Sequence, residues 1–127
     1  MAWNSNLFEG ELVFFNGFAI SVQFWSKHDG TSWIVTCVYG PSTPNGKNVF
    51  LDWMKNIIMP ENINWMVLGD FNLIRSPDNR NKPGGDISEM FKFNSMISAL
   101  GLNEVSLMGR KYTWSNMQPE PLLEKID

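Results

Sequence analysis

One segment of the sequence joins a short apolar run to two polar side chains that could act together. Trp65 to Leu68 is apolar, and Gly69-Asp70-Phe71-Asn72 follows it directly. Alternate residues of an extended segment face the same side, so we expect Asp70 and Asn72 to converge while Phe71 points into the core. A carboxylate beside a carboxamide suits a hydrated divalent cation, or a phosphate with its attacking water. Both residue types are also common in strand-end turns, and spacing alone favours that simpler interpretation.

Two further segments place polar groups beside apolar runs. Tyr39 ends one such run before Gly40-Pro41. Its hydroxyl could donate to a phosphate oxygen, although an aromatic residue at the edge of a core is the commoner case. The segment Lys111 to Asn116 contains Trp114, which is by default a core residue, and Asp127 is by default an ordinary acid.

Basic side chains lie in the loops beside these segments. They are Arg75, Arg80 and Lys82 after Asn72, and Arg110 and Lys111 before Tyr112. If the loops meet in space, each basic group could contribute salt-sensitive, sequence-independent affinity for a phosphate backbone. A solvated loop balanced by Asp78 and Asp86 is an equally good interpretation.

The composition excludes several classes of protein. Ten Lys and Arg against 13 Asp and Glu give a net charge of -3, so no general field attracts nucleic acid or an anionic membrane. The single Cys37 excludes an internal disulfide and any multi-cysteine metal cluster. No stretch approaches the ~18 apolar residues of a membrane span, and residues 1–10 lack the features of a secretory signal. We therefore expect an intracellular protein with neither a membrane nor a disulfide partner.

Short strands and two helices must position these residues. The apolar pattern predicts strands at residues 11–15, 18–24, 33–39, 64–69, 102–106 and 112–114. Asn16-Gly17 predicts a hairpin turn between the first two. The runs at 33–39 and 64–69 are nearly continuous, which is typical of strands buried on both faces.

Helical spacing of apolar residues predicts one helix over 47–59, stopped by Pro60, after a loop at 40–46. Asp86 with Glu89 predicts the start of a second helix, which should end at Gly101, after a polar loop at 76–85. Nine Phe and six Trp imply a large apolar core for 127 residues. Strands alternating with helices indicate the α/β or α+β class, with a sheet covered by helices.

The order of these motifs resembles the endonuclease/exonuclease/phosphatase superfamily, and specifically the endonuclease module of plant LINE-type (non-LTR) retrotransposons. Tyr39 in VYGP, then GDFN at 69–72, then YTWSN at 112–116 and Ile126-Asp127 occur in the order of the family motifs. The resemblance covers nearly the whole chain, and segments 69–85 and 109–127 are the most similar.

The resemblance implies a role for each matched residue. Asp70 corresponds to the acid that polarises or deprotonates the attacking water, and Asn72 to the amide that orients this water or contacts the metal-bound phosphate. Both would contribute to the metal site. Tyr39 corresponds to a contact to the scissile phosphate, and Asp127 to an acid that orients a catalytic histidine. The implied reaction is Mg²⁺-assisted in-line hydrolysis of a DNA phosphodiester.

Four other residues would contact or flank the substrate: Arg75, Arg110, Lys111 and Trp114. The family's metal-binding Glu and catalytic His have no counterpart in this sequence. The only histidine, His28, lies in a polar turn and is expected at the surface. Nuclear location would follow only from a retrotransposon role, because no dense run of Lys and Arg is present.

The resemblance also implies a fold, a four-layer sandwich of two mixed β-sheets flanked by helices. Residues 1–127 would form its central part, truncated at both ends, with uncovered apolar faces where the missing halves of the domain would pack. We therefore expect a fragment of a DNA-nicking endonuclease that is inactive as the isolated chain, and marginal stability and poor solubility. The alternatives are a non-catalytic remnant with at most weak nucleic-acid binding, and a phosphatase acting on a small phosphoester.

Overall fold

A computed structural model describes residues 1–127. The chain divides into two compact units. The first contains residues Met1–Tyr39 and Ile58–Asp70, and the second contains Gly40–Ile57 and Phe71–Asp127. With a four-stranded mixed sheet, a two-stranded sheet and two α-helices, the protein is α+β.

The first unit is built on the four-stranded sheet. Its strands are β1 (Phe8–Phe15), β2 (Ala19–Ser26), β3 (Ser32–Tyr39) and β4 (Asn64–Asp70), in the order β1-β2-β3-β4. The pairs β1–β2 and β2–β3 are antiparallel, whereas β3–β4 is parallel. The predicted hairpin is confirmed, since the Asn16 side chain accepts hydrogen bonds from the backbone N–H groups of Phe18 and Ala19 at the turn.

The prediction that β3 and β4 are buried on both faces is wrong. Along β3, only Ile34, Thr36 and Val38 are fully buried, while the residues between them are partly exposed. Strand β4 lies at the edge of the sheet and exposes Met66 and Leu68. An apolar run indicates a strand, but burial of both faces requires a layer on each side.

The buried face of the sheet contains polar groups that satisfy one another. Ser21 and Thr36 have no exposed surface, and their hydroxyl oxygens are 2.8 Å apart. The indole Nε1–H of Trp65 donates to Thr36 Oγ1 at 2.9 Å. This chain of hydrogen bonds ties β2, β3 and β4 together and offsets the desolvation of the hydroxyl groups.

The second unit contains helix α1 (Pro44–Lys55), helix α2 (Ile87–Ala99) and the antiparallel pair β5 (Trp114–Ser115) and β6 (Leu123–Glu124). Helix α1 begins within the predicted loop, because Pro at the first helical position needs no hydrogen-bond partner for its nitrogen. Thr43 caps this helix by accepting from the N–H of Gly46. Neither α-helix is long and apolar enough to cross a membrane.

Helix α2 confirms the predicted start. The Asp86 side chain accepts from the Glu89 N–H at 3.1 Å, and Gly101 follows the helix with a φ of 65°. The strand predicted at 102–106 is wrong, since this segment forms no regular structure and Val105 is exposed. The strand predicted at 112–114 is reduced to the short β5.

The core of the second unit is formed by side chains from both helices and from the segments that follow β4 and β6. Its buried members are Phe50, Leu51, Met54, Leu73, Met90, Phe93, Met96 and Ile126. Phe71 lies in contact with this core, with its ring centroid 6.4 Å from that of Phe50 and 5.3 Å from that of Phe93.

Candidate functional site

Tyr39 and Asp70 are the last residues of two neighbouring parallel strands. They are register partners in the β3–β4 pair, so their side chains emerge side by side on one face at the carboxyl edge of the sheet. Tyr39 is exposed and Asp70 is partly exposed, so both lie within reach of a solute. A Tyr and an Asp thus occupy neighbouring positions where open sheets with parallel strands commonly bind ligands.

Gly69 is required by the close packing of these strand ends. A Cβ atom at this position would lie 2.1 Å from the carbonyl oxygen of Val38, and the residue has a φ of 125°. Neither condition suits an L-residue with a side chain. The glycine therefore lets β4 stay paired with β3 up to Asp70.

Within the second unit, the segments that follow β3 and β4 are hydrogen-bonded to each other. The Asn72 amide nitrogen donates to the carbonyl oxygen of Gly40 at 2.6 Å. A Cβ atom on Gly40 would lie 2.2 Å from the carbonyl oxygen of Phe71, so the two backbones cross at a distance that only glycine permits. The VYGP and GDFN motifs, far apart in sequence, therefore meet in space.

The prediction that side chains alternate between two faces from Asp70 to Asn72 is wrong. Strand β4 ends at Asp70, and Asn72 has a φ of 52°, in the left-handed region that Asn tolerates better than most residues. Asp70 and Asn72 therefore do not belong to one extended segment. The amide of Asn72 instead serves the loop contact to Gly40.

The YTWSN and Ile126-Asp127 motifs also meet. Phe71 N–H donates to the carbonyl oxygen of Ile126 at 3.0 Å. The Ile126 N–H in turn donates to the Thr113 hydroxyl at 3.2 Å, and the Thr113 N–H donates to the Glu124 carbonyl at 2.8 Å. Ile126 is buried, whereas Asp127 is exposed. These bonds fix the end of the chain beside Phe71 and leave the Asp127 side chain in solvent.

Arg75 is bound by groups of the protein itself. Its Nε–H donates to Asn94 Oδ1 at 2.8 Å, and its Nη1 lies 2.5 Å from a carboxylate oxygen of Glu104. Glu104 also pairs with Lys125. The hydrogen bond from Lys125, aided by Arg75, holds the pKa of Glu104 below its ordinary value of 4.5. The Arg75 guanidinium is therefore already engaged by protein groups, although Glu104 shares its single negative charge with Lys125.

The other basic residues differ in how far they are engaged. Arg80 pairs with Glu124 at 3.4 Å, and Lys82 Nζ donates to the carbonyl oxygen of Glu120. Arg110 and Lys111 are exposed in a turn, with Lys111 Nζ 5.4 Å from the centroid of the Tyr112 ring.

Trp114 is exposed on β5 and is not a core residue. Among the residues predicted to contact substrate, Arg110, Lys111 and Trp114 are therefore the ones presented to solvent.

No group of three or more His, Cys, Asp or Glu side chains is arranged to hold a metal ion. His28 is exposed in the turn after β2, as predicted. Asp70 is the one carboxylate at the carboxyl edge of the β3–β4 pair. A single carboxylate suits Mg²⁺ only where water and substrate oxygens complete the octahedron.

Two residues that organise this region are not among the predicted site residues. The Thr113 hydroxyl joins the two C-terminal motifs. Gly40, predicted only as part of a loop, is the crossing point with Phe71. A glycine directly after an apolar strand was the available signal, since such a position often marks close backbone approach.

Comparison with known proteins leaves the family open. No protein-family model and no curated protein matches the sequence. The resemblance to retrotransposon endonucleases therefore rests on the motifs and their order alone.

Proposed function

We propose that this chain carries part of the site of a Mg²⁺-dependent endonuclease that hydrolyses DNA phosphodiester bonds, of the LINE retrotransposon type that the sequence resembles. The observation that supports the proposal most directly is the pairing of Tyr39 with Asp70 at the carboxyl ends of β3 and β4. Two distant motifs thus contribute a Tyr and an Asp at neighbouring strand ends, and a hydroxyl donor and a carboxylate are the groups that suit a phosphate with a bound cation.

Each residue has a distinct task in this proposal. Tyr39 donates its hydroxyl hydrogen to a non-bridging phosphate oxygen, and Asp70 binds the cation or accepts a proton from the attacking water. Asn72 and Asp127 keep the roles that the resemblance gives them. Mg²⁺, when bound, would be held by Asp70, with Asn72 as the second expected ligand, and would neutralise charge on the reacting phosphate.

The proposed site is incomplete, and we expect no DNA cleavage by the isolated chain. Asp70 alone supplies little negative charge for a hard cation, and His28 lies in an exposed turn of the first unit. The proposal includes the four-layer sandwich that the resemblance implies. The exposed apolar face of the four-stranded sheet supports a second layer there.

DNA binding with and without Mg²⁺ tests the assignment of Asp70. Fluorescence anisotropy of an end-labelled DNA duplex should show weak binding that Mg²⁺ strengthens. Asp70→Ala should weaken binding by about threefold to tenfold in Mg²⁺, because the cation loses its ligand. In EDTA the same variant should bind equally well or more tightly, since a negative charge facing the phosphates is gone.

Matched controls are available for both residues. Asp78→Ala removes an exposed carboxylate in the short helical turn at Pro77–Asn79, and Tyr112→Phe removes the hydroxyl of the only other tyrosine. Tyr39→Phe should weaken binding, whereas both controls should leave it unchanged. Equal affinities for all variants, with and without Mg²⁺, would refute the proposed site.

Plasmid nicking in Mg²⁺ tests the expected inactivity. Nicking that is abolished by Asp70→Ala would show that the chain is a complete nuclease and that the expectation is wrong.

A non-catalytic remnant that binds nucleic acid weakly is the second candidate. It is favoured by the engagement of Arg75 with Glu104 and by the absence of a metal-binding cluster. In that case binding would not respond to Mg²⁺, and exposed Arg110 and Lys111 would carry it as phosphate contacts. The same anisotropy experiment separates the two candidates.

A further inference from the structure

One carboxylate of the second unit bridges two cations. Arg75 Nη1 lies 2.5 Å from one carboxylate oxygen of Glu104, and Lys125 Nζ contacts the other oxygen of the same group. The remaining ion pairs of the chain each join one cation to one carboxylate. Two cations against one carboxylate leave a positive charge that no ion pair of the chain balances.

The two cations are held in place by groups other than Glu104. The Arg75 Nε–H donates to Asn94 Oδ1 at 2.8 Å, and the Asn94 amide nitrogen donates back to the Arg75 carbonyl oxygen at 2.7 Å. Asn79 fixes both backbones. Its side-chain oxygen accepts from the Arg75 N–H at 3.0 Å, and its carbonyl oxygen accepts from the Lys125 N–H at 2.8 Å. The arrangement of the two cations therefore does not require Glu104.

Glu104, in contrast, lies in a segment that few other bonds hold. Residues 103–111 are all exposed, belong to no helix or strand, and make no backbone hydrogen bond with the rest of the chain. Within this segment, Glu104 is the residue whose side chain forms ion pairs. An exposed backbone without hydrogen bonds opens at low free energy. Glu104 can therefore leave with its segment while the two cations stay.

Two fixed cations with a replaceable carboxylate suit a phosphate group. Guanidinium and ammonium groups are the side chains that bind phosphate oxygens in proteins. A phosphate monoester carries a charge of about −1.5 to −2 near neutral pH, whereas a carboxylate carries a single negative charge. A phosphate monoester would therefore balance both cations, which Glu104 alone does not.

We propose that Arg75 and Lys125 form a binding site for a phosphate monoester or free phosphate, which displaces Glu104 and releases residues 103–111. A phosphodiester has one negative charge, so it gains nothing over the carboxylate that it would replace. The proposal does not rest on the proposed endonuclease, because neither Mg²⁺ nor the Tyr39–Asp70 pair takes part in it.

Trypsin cleavage of the full chain measures release of the segment. Arg110 and Lys111 supply two cleavage sites within it, and the exposed Lys27 of the first unit supplies a reference site. Relative to the bond after Lys27, cleavage in the segment should be at least about twofold faster in inorganic phosphate than in sodium chloride of equal ionic strength. Dimethyl phosphate, a diester with one charge, should act like chloride.

Glu104→Gln removes the charge of the bridge and keeps the size of the side chain. Its segment should be cleaved about threefold to fivefold faster than that of the wild type in sodium chloride, with no further gain in phosphate. Glu120→Gln is the matched control, because Glu120 is an exposed carboxylate of the same unit that forms no ion pair. It should behave like the wild type.

Binding itself can be followed by the NMR signal of the Arg75 Nε–H group. This signal should shift as inorganic phosphate is added, and Glu104→Gln should bind phosphate about threefold to tenfold more tightly, since the competitor is gone. Lys125→Gln should weaken binding by a similar factor. Lys92→Gln removes an exposed cation of helix α2 and should change nothing. Circular dichroism would check that all variants fold.

Three outcomes would overturn the proposal. The first is equal cleavage of the wild-type segment in phosphate and in chloride. The second is a Glu104→Gln variant that behaves like Glu120→Gln. The third is equal phosphate affinity of the wild type and Glu104→Gln, which would mean that Glu104 does not compete. These measurements use neither DNA nor Mg²⁺, so failure of the proposed endonuclease would leave them unaffected.

Discussion

The two faces of the four-stranded sheet differ in how they combine polarity and burial. One face holds Ser21 and Thr36, which have no exposed surface, beside the buried Ile34. The opposite face holds Leu12, Phe15 and Met66, each more than half exposed. The hydroxyl groups are tolerated inside because they bond to each other and to the Trp65 indole. The burial of a side chain in this sheet depends on which face it lies on. Polar groups on the covered face are tolerated because they are hydrogen-bonded.

Equal truncations on the two faces test this difference most directly. Ile34, 1% exposed, lies on the same face as Ser21 and Thr36, and Leu12 lies on the opposite face. Ile34→Ala should lower the free energy of unfolding by about 2–5 kcal/mol through lost burial and the cavity left behind. Leu12→Ala should change it by less than about 1 kcal/mol in the monomer. Urea unfolding at low protein concentration measures both values.

Equal losses for the two variants would show that the face that carries Leu12 is covered in solution.

A second prediction concerns the hydroxyl groups of the buried face. Thr36→Val keeps the shape of the side chain but removes the oxygen that pairs with Ser21 and accepts from Trp65. We expect a loss of about 1–3 kcal/mol in the free energy of unfolding, because partners of the hydroxyl are left unsatisfied. Thermal or urea unfolding provides the measurement.

The double variant Ser21→Ala/Thr36→Val provides the control for this prediction. Removing both hydroxyls leaves only the partly buried indole without its partner, so the double variant should be less destabilised than the sum of the two single variants. Strict additivity would contradict the network.

The smallest expected effect lies in the second unit, where all four ion pairs occur. The pKa of Glu104 is lowered in the folded chain, mainly by Lys125 and then by Arg75. Its stabilising contribution is therefore complete above its ordinary value of 4.5 and is lost as the pH falls through the lowered folded value. Because the pair is partly exposed, we expect less than about 1 kcal/mol.

Glu104→Gln checks this prediction when unfolding is followed from pH 6 to pH 3. The wild type should lose more stability than the variant over the acid part of the range. The difference should shrink in high salt, which screens exposed ion pairs. A variant with the same pH dependence as the wild type would assign the acid sensitivity to other carboxylates.

Local chemistry made several elements predictable. Asn16-Gly17 forms the hairpin turn because the Asn side chain bonds to nearby backbone N–H groups. Asp86 and Glu89 begin helix α2 by the same kind of short-range bond. These interactions join residues within three positions, so their pattern is present in the sequence itself.

The wrong predictions concerned partners that are distant in sequence. The apolar residues at 102–106 have no strand to pair with and stay irregular. The alternation assumed through Asn72 is interrupted because its amide bonds to Gly40, from a different part of the chain. Neither outcome can be obtained from periodicity, since periodicity describes one segment at a time.

By itself, the sequence determined the hairpin, the capped second helix, the strand end at Tyr39, the strand that runs into Asp70, and the order of the four motifs. Only the tertiary structure decided that Tyr39 and Asp70 are register partners, that Gly40 crosses Phe71, and that Arg75 pairs with Glu104. It also decided which face of the sheet is covered. The physical reason is range, because turns and caps are bonds between near neighbours, whereas register, crossing and burial depend on segments that meet only when the chain folds.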